Sequence, residues 1–191
     1  KAKTLDLGNC GLSELPEELM DCIWLEELFL SEMRFDKIFE KHIQQFYHEQ
    51  LPVEFFIDLF LSEDSLDNWD IPYKSQNLGA ENRINKLPKY FGKLTKLKSL
   101  ILDGAIDSNE TIDLTLLSNM VNLQVLVWSG GDAIIDLSPL SKLTNLQVLA
   151  FLGERGITDL SPLSRLTNLQ VLVSSGGNGI TDLSPLSRLT N

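Results

Sequence analysis

Leucines recur along the chain in the pattern Leu-x-x-Leu-x-Leu, in which apolar and polar positions alternate as they do along a β-strand. The pattern, with a few substitutions, occupies residues 2–7, 25–30, 97–102, 123–128, 146–151 and 169–174. In the last three turns a block Leu-Ser-Pro-Leu returns every 23 residues. A fixed period in the twenties is typical of a stacked solenoid, in which each turn holds one strand and one short helical or irregular segment. The sequence therefore predicts parallel strands that form the concave side of a right-handed, curved solenoid.

The stretch between residues 30 and 97 departs from this period. Apolar residues at three- and four-residue spacing predict an amphipathic helix at about 35–50 on the outside of the solenoid, and a polar loop is predicted at about 63–81. Residues 56–63 copy the layout of 25–32 and predict a seventh strand. The alternative is a helix beginning at Pro52, which periodicity alone cannot separate from a strand. We favour the strand and expect seven strands.

The repeat motifs resemble those of bacterial leucine-rich repeat proteins. Residues 157–163 are similar to the short repeats of internalins, and the Leu-Pro pairs at 15–16 and 87–88 resemble the L-P class of repeat. The mixture also resembles the repeat region of bacterial Roco proteins, in which a GTPase and a dimerisation unit follow the repeats. The resemblance implies one α/β leucine-rich repeat domain over residues 1–191, with short helical or irregular segments on the convex face.

The family has an asparagine that satisfies backbone groups in the turn after each strand. In this chain that residue falls at Asn82 and Asn178, whereas Cys10, Asp132 and Arg155 occupy the equivalent position in other turns. The resemblance therefore implies that the Asn82 side chain satisfies backbone groups in the turn after a strand.

Composition narrows the classes of partner. The chain has 191 residues, 43% of them apolar, and a net charge of −11, which argues against nucleic acid or an anionic membrane as a partner. No apolar run approaches the length of about 20 residues that a membrane span needs. Cys10 and Cys22 are too few for a disulfide framework and favour a reducing, cytoplasmic location. Because the sequence starts at a strand and stops just before the next, we expect a fragment of a larger protein.

Catalysis has little support in the sequence. The chain lacks a phosphate-binding loop, a His-Glu-x-x-His motif and a nucleophile elbow. His42 and His48 are six residues apart, and the acidic residues at 64–70 lack the glycine and terminal glutamate of an EF-hand. We predict no catalytic residue, no cofactor and no metal site, and hence a protein that is not an enzyme.

The concave face is the stronger candidate for function. Its outward positions have carboxylates and phenylalanines in the first turns and aliphatic side chains in the later ones. The predicted partner-binding residues are Asp6, Glu27, Phe29, Asp58, Phe60, Ile101, Asp103, Val125, Val127, Val148, Ala150, Leu152, Val171 and Val173. An exposed apolar strip of this kind signals contact with a partner. The alternative is that β-branched residues are present simply because they suit strands.

The loop at 63–81 is a second candidate. Trp69 and Tyr73 lie among acidic residues there, and aromatic anchors in polar surroundings are typical of interface hot spots. The alternative is that these side chains fold back and cover the solenoid beneath the outer helix.

These observations predict a module that binds a protein or peptide on its concave face, within a larger bacterial signalling or regulatory protein. Docking against a missing domain of the same chain, as in a regulatory array of a Roco-type GTPase, is one alternative. A secreted adhesin of the virulence type and an inert spacer are the others.

Overall fold

Six parallel strands form one sheet in the computed structural model, which describes residues 1–30, 75, 77–102, 113–129, 136–152, 156–175 and 180–189. The strands are β1 (Thr4–Asp6), β2 (Glu27–Phe29), β3 (Ser99–Leu102), β4 (Val125–Ser129), β5 (Val148–Leu152) and β6 (Val171–Ser175). Each strand pairs with the next one along the chain. This order, without crossovers, is that of a solenoid.

The core lies on one side of this sheet and is built from the leucines of the repeat. In register, one inward row runs Leu5, Leu28, Leu100, Leu126, Leu149 and Leu172. The next inward row includes Leu102, Trp128 and Phe151, and the last two rings stack with centroids 5.4 Å apart. The strand alternation predicted from the pattern is therefore confirmed, and the fold is a leucine-rich repeat solenoid.

Short 3-10 helices close the core on the side opposite the sheet. They span Glu17–Asp21, Lys89–Lys93, Leu114–Leu117, Ser138–Lys142, Ser161–Arg165 and Ser184–Arg188. The first five each place at least one apolar side chain in the core, for example Phe91 and Leu140. Proline in the first turn of the last three fixes a backbone angle that suits a helix start. The predicted short helical segments of the convex face are confirmed.

Repeated side chains satisfy the backbone between these elements. Asp136, Asp159 and Asp182 each accept a hydrogen bond of 2.8 Å from the backbone N–H of the serine two residues later. These bonds and those of the serine side chains lower the pKa of all three carboxyls. Asn145 and Asn168 each donate to a backbone carbonyl of the preceding turn at 2.8 Å, so every copied turn is tied to its neighbour.

The prediction of a seventh strand between β2 and β3 is wrong. Phe29 pairs directly with Ile101, so no strand lies between them, although residues 56–63 themselves lie outside the described residues. Leu28 and its partner Leu100 are 72 residues apart, against 23 for Leu5 and Leu28. In the described residues each strand of the sheet is followed by one convex segment. Between β2 and β3 there is one such segment in the described residues, and this repeat therefore has an insertion of 49 residues.

The two elements predicted within that insertion lie largely outside the described residues. This holds for the whole amphipathic helix at about 35–50 and for the loop at about 63–81 except residues 75 and 77–81. Both stay predictions.

An ion-pair network links the residues that precede β1, β2 and β3. Glu26 lies 2.6 Å from the Lys3 Nζ and 2.7 Å from the Lys98 Nζ. Hydrogen bonds from the two lysines lower the pKa of Glu26 from 4.5 to about 2. The network therefore joins three successive turns at their entry to the sheet.

Glu26→Gln should reduce the acid sensitivity of the fold. Because the pKa of Glu26 is lowered on folding, its contribution is complete above its ordinary pKa of 4.5 and is lost as the pH falls towards about 2. Urea unfolding between these two pH values should show a shallower loss of stability in the variant. Glu14→Gln, which removes an exposed carboxylate in another turn, is the control, and an equal slope in both variants would contradict the network.

Leu149→Ala should destabilise the solenoid by about 2–5 kcal/mol, because it leaves a cavity in a close-packed core. Leu149 is fully buried between Leu126 and Leu172 of the adjacent strands. Thermal unfolding followed by circular dichroism measures the loss. Gln147→Ala, two residues earlier and exposed, should leave the melting temperature unchanged.

Candidate functional site

The concave face is the side of the sheet opposite the leucine core, and it carries two rows of side chains. The first row is Thr4, Glu27, Ser99, Val125, Val148 and Val171, and the second is Asp6, Phe29, Ile101, Val127, Ala150 and Val173. The two rows follow from the strand register. The structure therefore brings ten of the predicted partner-binding residues together on one face.

The apolar residues of this face are not exposed, contrary to the expectation from the sequence. Phe29, Ile101, Val127, Val148 and Ala150 are buried, with at most 8% of any of them accessible, and they form a second apolar cluster apart from the core. Val125, Val171 and Val173 are half-buried against it. The alternation of a strand determines the face on which a side chain lies, but it does not determine what covers that face. The expected exposure of this strip to solvent was therefore wrong, whereas the expected register was right.

Burial also extends to a polar residue of the concave face. Ser99, between Glu27 and Val125 in register, is only 5% exposed, and its hydroxyl has no hydrogen-bond partner in the described structure. A buried hydroxyl without a partner opposes burial, because it loses its bonds to water. The burial of Ser99 therefore carries an energetic cost.

The carboxylates at the β1 end of the face are engaged by the chain itself. Asp6 Oδ1 accepts hydrogen bonds from the Gly8 N–H at 3.0 Å and from the Ser75 hydroxyl at 3.1 Å. Glu27 Oε2 accepts from the Thr4 hydroxyl at 2.5 Å. These contacts give both acids a structural role, and their predicted role in binding a partner stays a prediction.

The end of the long insertion is attached at the same place. Asn77 Nδ2 donates to the Gly8 carbonyl at 2.9 Å, and the Ser75 hydroxyl lies 3.2 Å from the same oxygen. At Gly79 a Cβ atom would lie 2.3 Å from the Asn9 carbonyl oxygen, so the two backbones approach too closely for any other residue. The insertion therefore returns along the turn that follows β1.

Asn82 completes this attachment. Its Nδ2 donates to the Leu7 carbonyl at 2.8 Å and the Leu30 carbonyl at 2.6 Å, and its Oδ1 accepts from the Leu12 N–H at 2.9 Å. The side chain is 3% exposed. It therefore joins the ends of β1 and β2, and the prediction that Asn82 satisfies backbone groups of the turn is confirmed.

The remaining predicted site residues receive no structural description. Asp58, Phe60, Asp103, Trp69 and Tyr73 lie outside the described residues. Leu152 belongs to β5, but only its backbone is described. The loop candidate and the acidic position at residue 58 therefore stay predictions.

Sequence reasoning missed the attachment made by Ser75 and Asn77. Both were counted as part of a polar loop, and a lone serine and asparagine give no periodic signal. The role of Asn82 could be predicted because its position follows from the repeat. No such pattern marks Ser75, whose partners lie 67 to 69 residues away in sequence.

Neither a metal-binding cluster nor a membrane-spanning helix occurs among the described residues. No group of three or more His, Cys, Asp or Glu side chains in them is placed to hold a metal ion. None of the helices they form has both the length and the apolar character to cross a membrane.

Comparisons with known proteins give similarity to solved structures alone. No family model matches the chain, and no curated protein matches it. The chain is similar to internalin C2 of Listeria monocytogenes, with 21% identity over 99% of this chain and 77% of that one and a TM-score of 0.46. It is likewise similar to internalin InlF of the same organism, with 21% identity over 93% of this chain and 48% of that one and a TM-score of 0.46.

Asn82→Ala should destabilise the chain by about 1–3 kcal/mol, because it leaves buried backbone groups without partners. The carbonyls of Leu7 and Leu30 and the Leu12 N–H would all lose a bond. Urea unfolding measures the difference. Asn85→Ala, an exposed position in the same turn, is the matched control, and equal effects of the two changes would contradict the role of Asn82.

Proposed function

We propose that this solenoid is a protein-interaction module that binds a protein or peptide through its concave face. The observation that carries the proposal is the second apolar cluster, which lies on the side of the sheet that the leucine core does not use. In the second row an aromatic or aliphatic side chain occurs on every strand from β2 to β6. At about 4.8 Å between strands, this row extends over roughly 19 Å.

Strand propensity does not explain this row by itself. β-branched residues suit exposed strand positions, but Phe29 and Ile101 are large side chains that are fully buried. Apolar side chains outside a fold's own core mark contact surfaces where they are accessible, as Val125, Val171 and Val173 are in part. A partner segment with apolar side chains at regular spacing fits this row.

The charge of the concave face indicates how a bound partner would be oriented. Asp6 and Glu27 lie at one end of the concave face, and the whole chain has a net charge of −11. We therefore propose a partner whose apolar part contacts β3 to β6 and whose basic part lies towards β1. Complementary charge of this kind sets orientation more than affinity.

We further propose that the module has a regulatory role within a larger bacterial protein. Docking against another domain of the same protein would use the same apolar row of the concave face. The Roco-type version relies on the mixed repeat motifs, and a cytoplasmic location stays a prediction. A phosphate-binding loop in the same polypeptide would favour the Roco-type version, and a secretion signal would favour an adhesin.

The proposal can be tested with a peptide that is selected from a displayed peptide library for binding to the whole chain. Val173→Asp should raise its dissociation constant about tenfold or more, because an unpaired carboxylate would be placed in the apolar contact. Val173 is half-buried at the β6 end of the cluster and so can be reached from outside. Fluorescence anisotropy measures the change.

Val121→Asp provides the matched control for that measurement. Val121 is 47% exposed in the turn before β4 and lies off the concave face, so its change should not affect the affinity. A selected peptide that binds equally to wild type, Val173→Asp and Val121→Asp would refute concave-face binding.

A further inference from the structure

We propose that copies of this chain associate head to tail, so that the β1 strand of a second copy lies beside β6 and continues the parallel sheet. The contact joins the two opposite ends of the stack and does not use the concave face. It therefore goes beyond the proposed function and does not depend on it.

The turn around β6 exposes apolar side chains that earlier turns bury. Leu183 is 63% exposed, whereas Leu160 and Leu137, at the same position of the repeat one and two turns earlier, are 2% and 1% exposed. In the sheet, Leu172 is half-buried although its register partner Leu149 is fully buried. Each earlier turn is covered by the next turn of the stack. A further turn of the same kind would therefore bury these side chains.

The turn around β1 has the same feature at the opposite end of the stack. Leu5 is half-buried, whereas its register partner Leu28 is fully buried. Among the described strands, β1 and β6 are the two that pair on one side only. Edge strands of this kind can pair with a strand of another chain. The two ends therefore correspond to the two halves of a contact between successive repeats.

Backbone hydrogen bonds between successive turns have a fixed direction that suits such pairing. At the entry to each strand from β2 to β6, two consecutive N–H groups donate to one carbonyl of the preceding turn. The N–H groups of Gln170 and Val171, for example, donate to the Gln147 carbonyl at 2.8 and 3.0 Å. In head-to-tail stacking, the Gln170 carbonyl would accept from the N–H groups of Lys3 and Thr4 of the second copy. Acceptors at one end thus match donors at the other.

The charges of the convex helices favour opposite ends over identical ends. Successive 3-10 helices contact each other along the convex side. The first ends at Asp21, with two glutamates in its first turn, whereas the sixth ends at Arg188. Asp182, which precedes the sixth helix, is already bonded to the N–H and hydroxyl of Ser184. Head-to-tail stacking places an acidic helix beside Arg188, whereas joining two β6 ends would place a second helix of the same sequence there. Complementary charge of this kind sets the orientation of a contact.

The consequence is a contact that does not close on itself in a pair. Each added copy still presents one β1 end and one β6 end, so that association continues into open chains or a ring. The concave faces of neighbouring copies would then be continuous. A partner with repeated apolar segments could contact several of them at once, which raises its overall affinity.

Sedimentation velocity of the whole chain over a series of concentrations tests the apolar part of this contact. We expect reversible association of the wild type. Leu183→Asp should raise its dissociation constant about tenfold or more, because a carboxylate would be placed in the apolar contact. Val121→Asp, an exposed valine in the interior of the stack, is the matched control and should associate like the wild type. Circular dichroism confirms that both variants fold.

A charge exchange tests the orientation and does not depend on how Leu183→Asp folds. Asp21→Arg and Arg188→Glu both change exposed residues, and each alone should weaken association about threefold or more, because like charges would meet. An equimolar mixture of the two variants should regain the wild-type dissociation constant. In the mixture, the introduced arginine of one chain meets the introduced glutamate of the other.

Three results would overturn the proposal. They are a wild type that stays monomeric at every concentration, association that Leu183→Asp leaves unchanged, and a mixture of the charge variants that associates no better than either alone. The last result would indicate contact between identical ends or through another surface. None of the three affects the peptide measurement with Val173→Asp, which concerns the concave face.

Discussion

Side-chain alternation along six registered parallel strands is the constraint on which the rest of this structure depends. Once the leucines at 28, 100, 126 and 149 are committed to the core, the residues between them must lie on the opposite face. Where an aromatic side chain takes the place of a core leucine, it packs against its neighbour in the next turn, as the stacked rings of Trp128 and Phe151 do. The composition of the concave face is therefore free of the demands of the solenoid core, and a large apolar side chain such as Phe29 needs a separate explanation.

What can be predicted from this sequence is what depends on local pattern. The strand register, the short convex helices and the bonds of Asn82 all follow from the repeat, and the structure confirms them. The seventh strand between β2 and β3 was wrong, because the local pattern of a segment does not determine which strands pair in the sheet. The exposure of Ile101 and Val127 was wrong for another reason: the alternation of a strand determines the face on which a side chain lies but not whether it is buried there.

The insertion is compatible with the register because both of its ends are held by hydrogen bonds. Leu28 is the register partner of Leu100, just as Leu5 is the register partner of Leu28, although 49 more residues intervene. Lengthening a loop adds little to the entropy of closing it, since the cost grows only with the logarithm of its length. The buried amide of Asn82 and the close approach of Gly79 to Asn9 hold the returning chain where a normal turn would continue.

Two separate apolar clusters give the two sides of the sheet different roles. The core cluster joins strands to convex helices, so losing any part of it disrupts the stack. Among the described residues, the concave cluster consists of strand side chains alone. Burial of the concave side is also opposed by the Ser99 hydroxyl, which has no partner in the described structure and costs about 1–3 kcal/mol. A substitution on the concave side therefore leaves the contacts of the leucine core intact. Separation of the clusters thus allows the composition of the concave face to change without unfolding the solenoid.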